Sequence, residues 1–303
     1  MPELPEVEVV RAGIAAVICG KTISEVCVYH PRSVRRHELG AADFEQTLRG
    51  RTFAEPKRRG KYLWLPFADG DALSAHLGMS GQFRVDEEGA QGLPELRHVR
   101  VELRFADSPM VLRFTDQRLF GGLWVSPEGA AGPVEISHIA KDLFDPQLDI
   151  EALAAKIISK HRAVKRLLLD QEIISGIGNI YADESLWRAK VHYLSNGADL
   201  NSKKVKELLF AARRVMSEAL AAGGTSFDAL YVNVAGESGY FERELAVYGR
   251  EGEPCGRCGA QIAREPFMGR SSFLCPVCQV RPKPYAGSAM AAVRARKSPG
   301  GSQ

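Results

Sequence analysis

The stretch CGRCGAQIAREPFMGRSSFLCPVC, residues 255–278, carries two C-x-x-C pairs separated by 16 residues. Cys255 and Cys258 form the first pair, Cys275 and Cys278 the second. Each pair offers two thiolates from one tight turn, and two such turns close a tetrahedral zinc site. Gly256, Gly259 and Pro276 suit those turns. Four thiolates leave no coordination position open, so one structural Zn2+ is expected. Disulfides are the competing reading. They are disfavoured because the first residues are acidic and lack the apolar run of a secretion signal. Cys19 and Cys27 are left over and are expected to be small buried residues.

Moving outward from this module, Val205, Leu208, Leu209, Ala212, Met216, Ala219 and Leu220 recur at helical spacing, and Gly223-Gly224 ends the stripe. Residues 151–244 therefore read as a helical domain, preceded by a proline-containing linker over 133–150. Residues 1–132 read mainly as strands and turns. Lys61–Phe67, Leu73–His76, Gly81–Val85, Val99–Phe105 and Val111–Phe114 are the clearest strand candidates. A helix to about Ile18 should precede them, stopped by Gly20, with Val9, Val10, Ile14, Val17 and Ile18 on its buried side. The expected class is a multidomain α+β protein. It comprises an N-terminal two-layer β-sandwich with flanking helices (1–132), the helical domain, a zinc module at 245–285 and a disordered basic tail at 286–303.

Composition is that of a soluble protein, with 45% hydrophobic and 25% charged residues and no run long enough to span a bilayer. A cytoplasmic location is expected. The net charge of +3 equals the three cations of the tail, Arg294, Arg296 and Lys297, so residues 1–285 sum to zero. Cations nevertheless cluster, nine against four acids between Pro31 and Lys61 and five without an acid from Lys156 to Arg166. Each cluster alone is most simply a solvated face.

The opening residues Met1-Pro-Glu-Leu-Pro-Glu-Val-Glu bear on chemistry. Loss of Met1, which a small second residue permits, leaves Pro2 with a free secondary amine. Attack on a sugar C1′ by such an amine gives an iminium, an electron sink for breaking neighbouring bonds. Glu3 and Glu6 lie close by as carboxylates able to move protons or hold a water. The plainer reading is that Pro2 and Pro5 simply start a helix.

These motifs, taken together, resemble the family of bacterial formamidopyrimidine-DNA glycosylases, which also includes endonuclease VIII. The resemblance runs from Pro2 to about Lys283. It is carried by Pro-Glu-Leu-Pro-Glu-Val-Glu, Arg-Gly-Lys-Tyr-Leu at 59–63 and His-Leu-Gly-Met-Ser-Gly at 76–81. Asp-Gln-Arg-Leu-Phe-Gly at 116–121, Gly-Ile-Gly-Asn-Ile-Tyr at 176–181 and Val-Tyr-Gly-Arg-Glu-Gly-Glu-Pro-Cys at 247–255 extend it.

The resemblance implies a lyase-coupled glycosylase that flips an oxidised purine out of duplex DNA. Pro2 would be the nucleophile, Glu3 the main acid and base, and Glu6 a support for the sugar and local waters. Lys61 would serve β-elimination and Arg270 δ-elimination. Met79, Arg118 and Phe120 match a trio that fills the hole left in the stack, and Arg118 would bond the orphaned opposite base. Lys160 and Lys165 match DNA-contacting lysines. Asn179 lies in the turn of a helix–two-turn–helix element that holds phosphates. Tyr231–Phe241 corresponds to a mobile loop over the flipped base, with Thr225 and Tyr240 lining its pocket. The implied partner is double-stranded DNA with oxidised-purine or abasic lesions, met by a monomer that associates with the nucleoid when on DNA and touches no membrane.

Two departures from the family pattern stand out. Leu119 replaces a second arginine of the wedge, and Leu96 stands where some members carry the first histidine of His-x-His, with His98 kept. An endonuclease VIII-like enzyme for oxidised pyrimidines and a non-catalytic damage-binding protein are the alternatives. The first usually has Gly where Leu4 stands, and loss of Pro2, Glu3 or Lys61 would have favoured the second.

Overall fold

The structure is a computed structural model that describes residues 2–89, 97–224, Val234 and 244–283. Met1, Leu96, Thr225, Tyr240, the rest of the Tyr231–Phe241 segment apart from Val234, and the tail at 286–303 lie outside the described residues.

Helix α1 spans Leu4–Ile18 with Pro5 in its first turn, where a missing N–H leaves no bond unmade. Glu6 reaches back to accept from the Glu3 amide at 2.9 Å. Gly20, at φ +76°, lets the chain turn away after the last turn. Leu4, Val7, Val10, Ile14 and Ile18 form its buried stripe. The expected face is therefore rotated: Val9 and Val17 are only partly buried.

Two four-stranded antiparallel sheets follow. One holds β1 (Ile23–Val28), β5 (Gly81–Glu87), β6 (Val99–Phe105) and β7 (Ser108–Asp116) in the order β1-β6-β7-β5. The other holds β2 (Lys57–Arg59), β3 (Tyr62–Pro66), β4 (Ala72–His76) and β8 (Gly122–Ser126) in the order β2-β3-β4-β8. Leu63, Leu65 and Leu73 of the second sheet share one apolar core with Phe83, Leu103 and Phe114 of the first and with α1. The two-layer sandwich is thereby closed. Phe53 and Phe67 stack inside it with centroids 5.0 Å apart. A short helix α2 (Gly40–Leu48) buries Phe44 and Leu48 against the same core.

A second core is helical. It is built from α3 (Ile150–Ile158), α4 (Val164–Leu169), α5 (Asn179–Arg188) and α6 (Ser202–Ala221). On α6 the anticipated stripe is buried, joined by Val215, while Leu220 is only half-buried. Leu4 of α1 inserts into this helical core, and such a burial contributes about 2 kcal/mol. One leucine thus joins the two halves at the point where residues 2 and 3 begin.

The zinc module contributes a hairpin of β9 (Ala263–Phe267) and β10 (Arg270–Leu274), whose Phe267 and Leu274 also enter the helical core. Its two-residue turn has positive φ at both Met268 (+49°) and Gly269 (+72°), the pattern that matches the twist of paired strands. Cys19 is exposed and Cys27 half-buried, against the expectation that both would be buried. Among the described residues no helix is long and apolar enough to cross a membrane.

Candidate functional site

The site is built where α1 meets α5. The Gly176-Ile177-Gly178-Asn179 turn ends at the N-terminus of α5, whose first amides have no partner within the helix. Glu3 supplies one. Its carboxylate accepts from the amides of Gly178 at 2.7 Å, Ile180 at 2.9 Å and Tyr181 at 3.3 Å. A helix N-terminus carries partial positive charge and favours an anion there. Gly178 is required for this approach, because a Cβ on it would lie 2.4 Å from the Glu3 carboxyl carbon.

Pro2 is buried beside Glu3. The Leu4 amide donates to the Gly176 carbonyl at 3.0 Å, so the first residues are held along the same turn. Glu6, in the first turn of α1, accepts from the Tyr181 hydroxyl at 2.6 Å. Tyr181 was not anticipated from the sequence as part of the site, although it closes the Gly-Ile-Gly-Asn-Ile-Tyr motif.

Lys61 enters from the opposite side, just before β3. It is buried, and its ammonium donates to the Ile177 carbonyl at 2.9 Å. The turn carrying it is held by Asp142 of the connector, which accepts from the Gly60 amide at 3.1 Å and from Arg58 at 2.7 Å. Burial pushes the Glu3 carboxyl above its ordinary value, with Lys61 opposing and Glu6 adding to the push. Burial likewise pulls the Lys61 ammonium down, with Glu3 opposing and Arg270 adding to the pull. Both groups are moved toward neutrality, which suits them to give and take protons.

Arg270 is exposed as the first residue of β10, directly after the hairpin turn. Asn179 does not face outward freely: its side-chain amide donates to the Ser271 carbonyl at 2.9 Å and so braces the hairpin. Lys160 is exposed in the basic stretch after α3. Lys165 is placed differently from the expectation that it contacts DNA. It is fully buried on α4 and paired with Asp183 at 2.7 Å, because an ammonium at that depth needs an anion.

Met79, Arg118 and Phe120 project from two neighbouring loops, 77–80 after β4 and 117–121 after β7. All three side chains are exposed. Arg118 lies over the Phe120 ring at 5.0 Å from its centroid. The backbones beneath them are fixed by Asp116, a fully buried carboxylate. It accepts from the Gly121 amide at 2.7 Å, the Arg118 amide at 3.2 Å and the Ser80 hydroxyl at 2.5 Å. From the other side Arg35 donates to the carbonyls of Phe120 and Gly121, at 3.1 and 2.7 Å. Leu119, the departure from the family pattern, adopts φ +56° at the bend between Arg118 and Phe120. His76 starts the 77–80 loop and accepts from the Gly78 amide at 3.2 Å. Burial first, then the charges of Arg36, Lys61 and Arg35, hold its pKa down at about 4.

The four sulfur atoms of Cys255, Cys258, Cys275 and Cys278 lie within 4.8 Å of one another. That spacing fits tetrahedral thiolates around one Zn2+. Burial acts to raise the Cys255 thiol, but the amides of Arg257 and Cys258 and the Trp187 indole outweigh it and bring it to about 6. A sulfur held as thiolate is what the metal needs. The Trp187 indole donates to the Cys255 sulfur at 3.4 Å, tying α5 to the metal centre.

Comparison with known proteins agrees with this arrangement. Residues 1–123 match the Formamidopyrimidine-DNA glycosylase N-terminal domain, 139–230 the Formamidopyrimidine-DNA glycosylase H2TH domain, and 252–280 the zinc finger found in FPG and IleRS. A formamidopyrimidine-DNA glycosylase of Nocardioides sp. is 56% identical over 285 residues, 93% of this chain and 96% of the relative. A Lactococcus lactis FPG mutant in complex with a Fapy-dG containing DNA superposes with TM-score 0.82 at 30% identity, over 92% of this chain and all of that one. The Lactococcus lactis Fpg complex with an abasic site containing DNA gives TM-score 0.80 at 30% identity and the same coverage. The chain belongs to the formamidopyrimidine-DNA glycosylase family.

Proposed function

We propose that the protein is a bifunctional DNA glycosylase and abasic-site lyase of base excision repair, acting on oxidised purines in duplex DNA. The observation that carries this reading is the convergence of Pro2, Glu3 and Lys61 on one buried turn, with Arg270 at its edge. In this reading Met1 is removed and the Pro2 nitrogen attacks C1′ of a flipped nucleotide. The N-glycosidic bond breaks as the base leaves with the proton that the amine gives up, and the sugar ring opens as O4′ takes a proton from Glu3. An iminium then links Pro2 to C1′.

Loss of a C2′ proton to a base expels the 3′ phosphate, and Lys61 steadies that leaving group. A second elimination takes the C4′ proton to a base and breaks the C5′–O bond, with Arg270 beside the departing phosphate. Water hydrolyses the iminium and returns the free amine, leaving a one-nucleotide gap with phosphate at both ends. Met79, Arg118 and Phe120 occupy the vacated stack, and Arg118 bonds the opposite base. Lys160 and the turn at Asn179 hold the backbone. Tyr240 adds a contact from outside the described residues. The domain division is 1–132, 133–150, 151–244 and 245–285, and the protein works as a cytoplasmic monomer that joins the nucleoid on DNA.

Borohydride trapping on a duplex with 8-oxoguanine opposite cytosine tests this. Protein shown by mass spectrometry to lack Met1 should give a covalent adduct that maps to Pro2 and is absent from Pro2→Gly. An adduct on thymine glycol alone would transfer the assignment to oxidised pyrimidines. No adduct on either substrate would refute the catalytic reading.

A further inference from the structure

The Lys165–Asp183 pair holds the zinc hairpin from beneath. The Lys165 ammonium donates to the Ser271 carbonyl at 3.1 Å and to the Ser272 hydroxyl at 2.8 Å, besides meeting Asp183 at 2.7 Å. It also lies 5.5 Å from the centroid of the Phe267 ring. Asp183 accepts from the Phe273 amide at 2.9 Å through its other oxygen. Between them the pair holds residues on both sides of Arg270: Phe267 before the turn, and Ser271, Ser272 and Phe273 after it.

Lys165 and Asp183 are both essentially without solvent contact. A buried ion pair is a weak source of stability, since well-packed apolar residues often replace one without loss. What apolar residues cannot reproduce is direction: three of these bonds end on the backbone or side chains of β10. Among the described residues no hydrogen bond or ion pair anchors the exposed Arg270 guanidinium, yet its charge opposes protonation of both Lys61 and Lys165, which places it within electrostatic reach of the proposed reaction centre.

We propose that the buried Lys165–Asp183 pair is a positioning device that fixes the start of β10 and thereby aims Arg270 at the phosphate expelled in the second elimination. This rests on the lyase reading above. Neither side chain is exposed to solvent. The pair acts through Arg270 and is specific to the δ step, whereas Glu3 and Lys61 are held by hydrogen bonds to the 177–181 turn that the pair does not supply.

The test is single-turnover cleavage of an abasic-site duplex by the full zinc-loaded chain. It compares the ratio of δ to β products with the rate of borohydride trapping on 8-oxoguanine. Lys165→Met/Asp183→Asn removes both charges while leaving an acceptor for the Phe273 amide. Its δ-to-β ratio should fall about tenfold toward the floor set by Arg270→Ala, since small misplacements of a reacting group cost large factors in rate. Its trapping rate should stay within about threefold of the parent, because the amine and Glu3 are undisturbed.

An unchanged ratio would overturn the proposal, and so would a ratio that falls only in step with trapping, the mark of a merely structural role. If the double variant loses its zinc or its cooperative unfolding, Ser272→Ala, which removes one Lys165 acceptor, decides instead. It should lower the ratio about threefold, and an unchanged ratio would overturn the proposal. Failure of the parent protein to form any trapped adduct would sink the lyase reading itself, an outcome separate from an active parent with an insensitive ratio.

Discussion

The proposed reaction centre and the proposed wedge solve opposite problems with the same materials. At the centre, the side chains are buried and the backbone serves them: three amides and one carbonyl of the 177–181 turn hold Glu3 and Lys61. At the wedge the relation is reversed. Buried Asp116 and the guanidinium of Arg35 hold the backbone of the loops, and Met79, Arg118 and Phe120 are left exposed. Burial is used where protonation must be tuned, and exposure where surface must be offered to another molecule. In both places the rigid part is paid for by hydrogen bonds to main chain, which a loop cannot trade away without unfolding.

The sharpest way to break the comparison is Gly178→Ala. Its Cβ would stand where the Glu3 carboxyl lies, so β-elimination and base release should fall about 100-fold or more while the zinc module and far-ultraviolet circular dichroism stay as they were. Undiminished single-turnover cleavage would mean that Glu3 is not held at this helix end in the working enzyme.

His76 joins the two regions, since it faces Lys61, Arg35 and Arg36 and begins the loop bearing Met79. In the unfolded chain it takes a proton near pH 6.5, whereas in the folded chain it refuses one until about pH 4. The unfolded state therefore binds more protons across that window. The histidine's own contribution to stability should fall as pH drops from 6.5 to 4, by up to about 3 kcal/mol, and be constant above that window. Denaturant titrations of the parent and of His76→Asn should differ across that window. Identical pH profiles would show that the histidine is not held neutral.

A smaller effect separates scaffold from surface within the wedge. Asp116→Asn should cost about 2 kcal/mol of stability, because it weakens three hydrogen bonds accepted by a fully buried carboxylate. Phe120→Ala should leave stability within about 0.5 kcal/mol, since the ring is 45% exposed. It should nevertheless weaken binding to a lesion duplex about tenfold through lost stacking. Equal losses of stability in the two variants would erase the distinction between the residue that builds the wedge and the one that uses it.

The sequence made the long periodic elements and the cysteine site legible. The α6 stripe, α1 and the five named strands all form near their expected bounds, because each has enough apolar residues at one period. Missed elements lack that signal. Strand β2 is three basic residues, Lys57–Arg59, and exists only because β3 lies beside it. Strand β8, Gly122–Ser126, follows directly on Gly121 and carries only three apolar residues, Leu123, Trp124 and Val125. Helix α2 buries only Phe44 and Leu48.

At the site, residue identities could be read but not their partners. Glu3 stood out beside Pro2, yet the amides that hold it lie 175 or more residues away. Lys165 reads as one more cation in a basic run, and only the packing of α4 against α5 shows it facing Asp183. Asp116 had a usable signal: an aspartate two residues before a bend is suited to holding backbone amides there.

The distance between residue 3 and residue 178 has a consequence for how the enzyme comes into being. A contact closing that much chain forms late, after the entropy of the intervening loop has been overcome by the cores that flank it. A chain whose sandwich is complete but whose helices have not yet packed carries the amine and Glu3 without the amides that hold Glu3 in place. The capacity to cut DNA therefore depends on a contact between the two ends of this span, residue 3 and the start of α5.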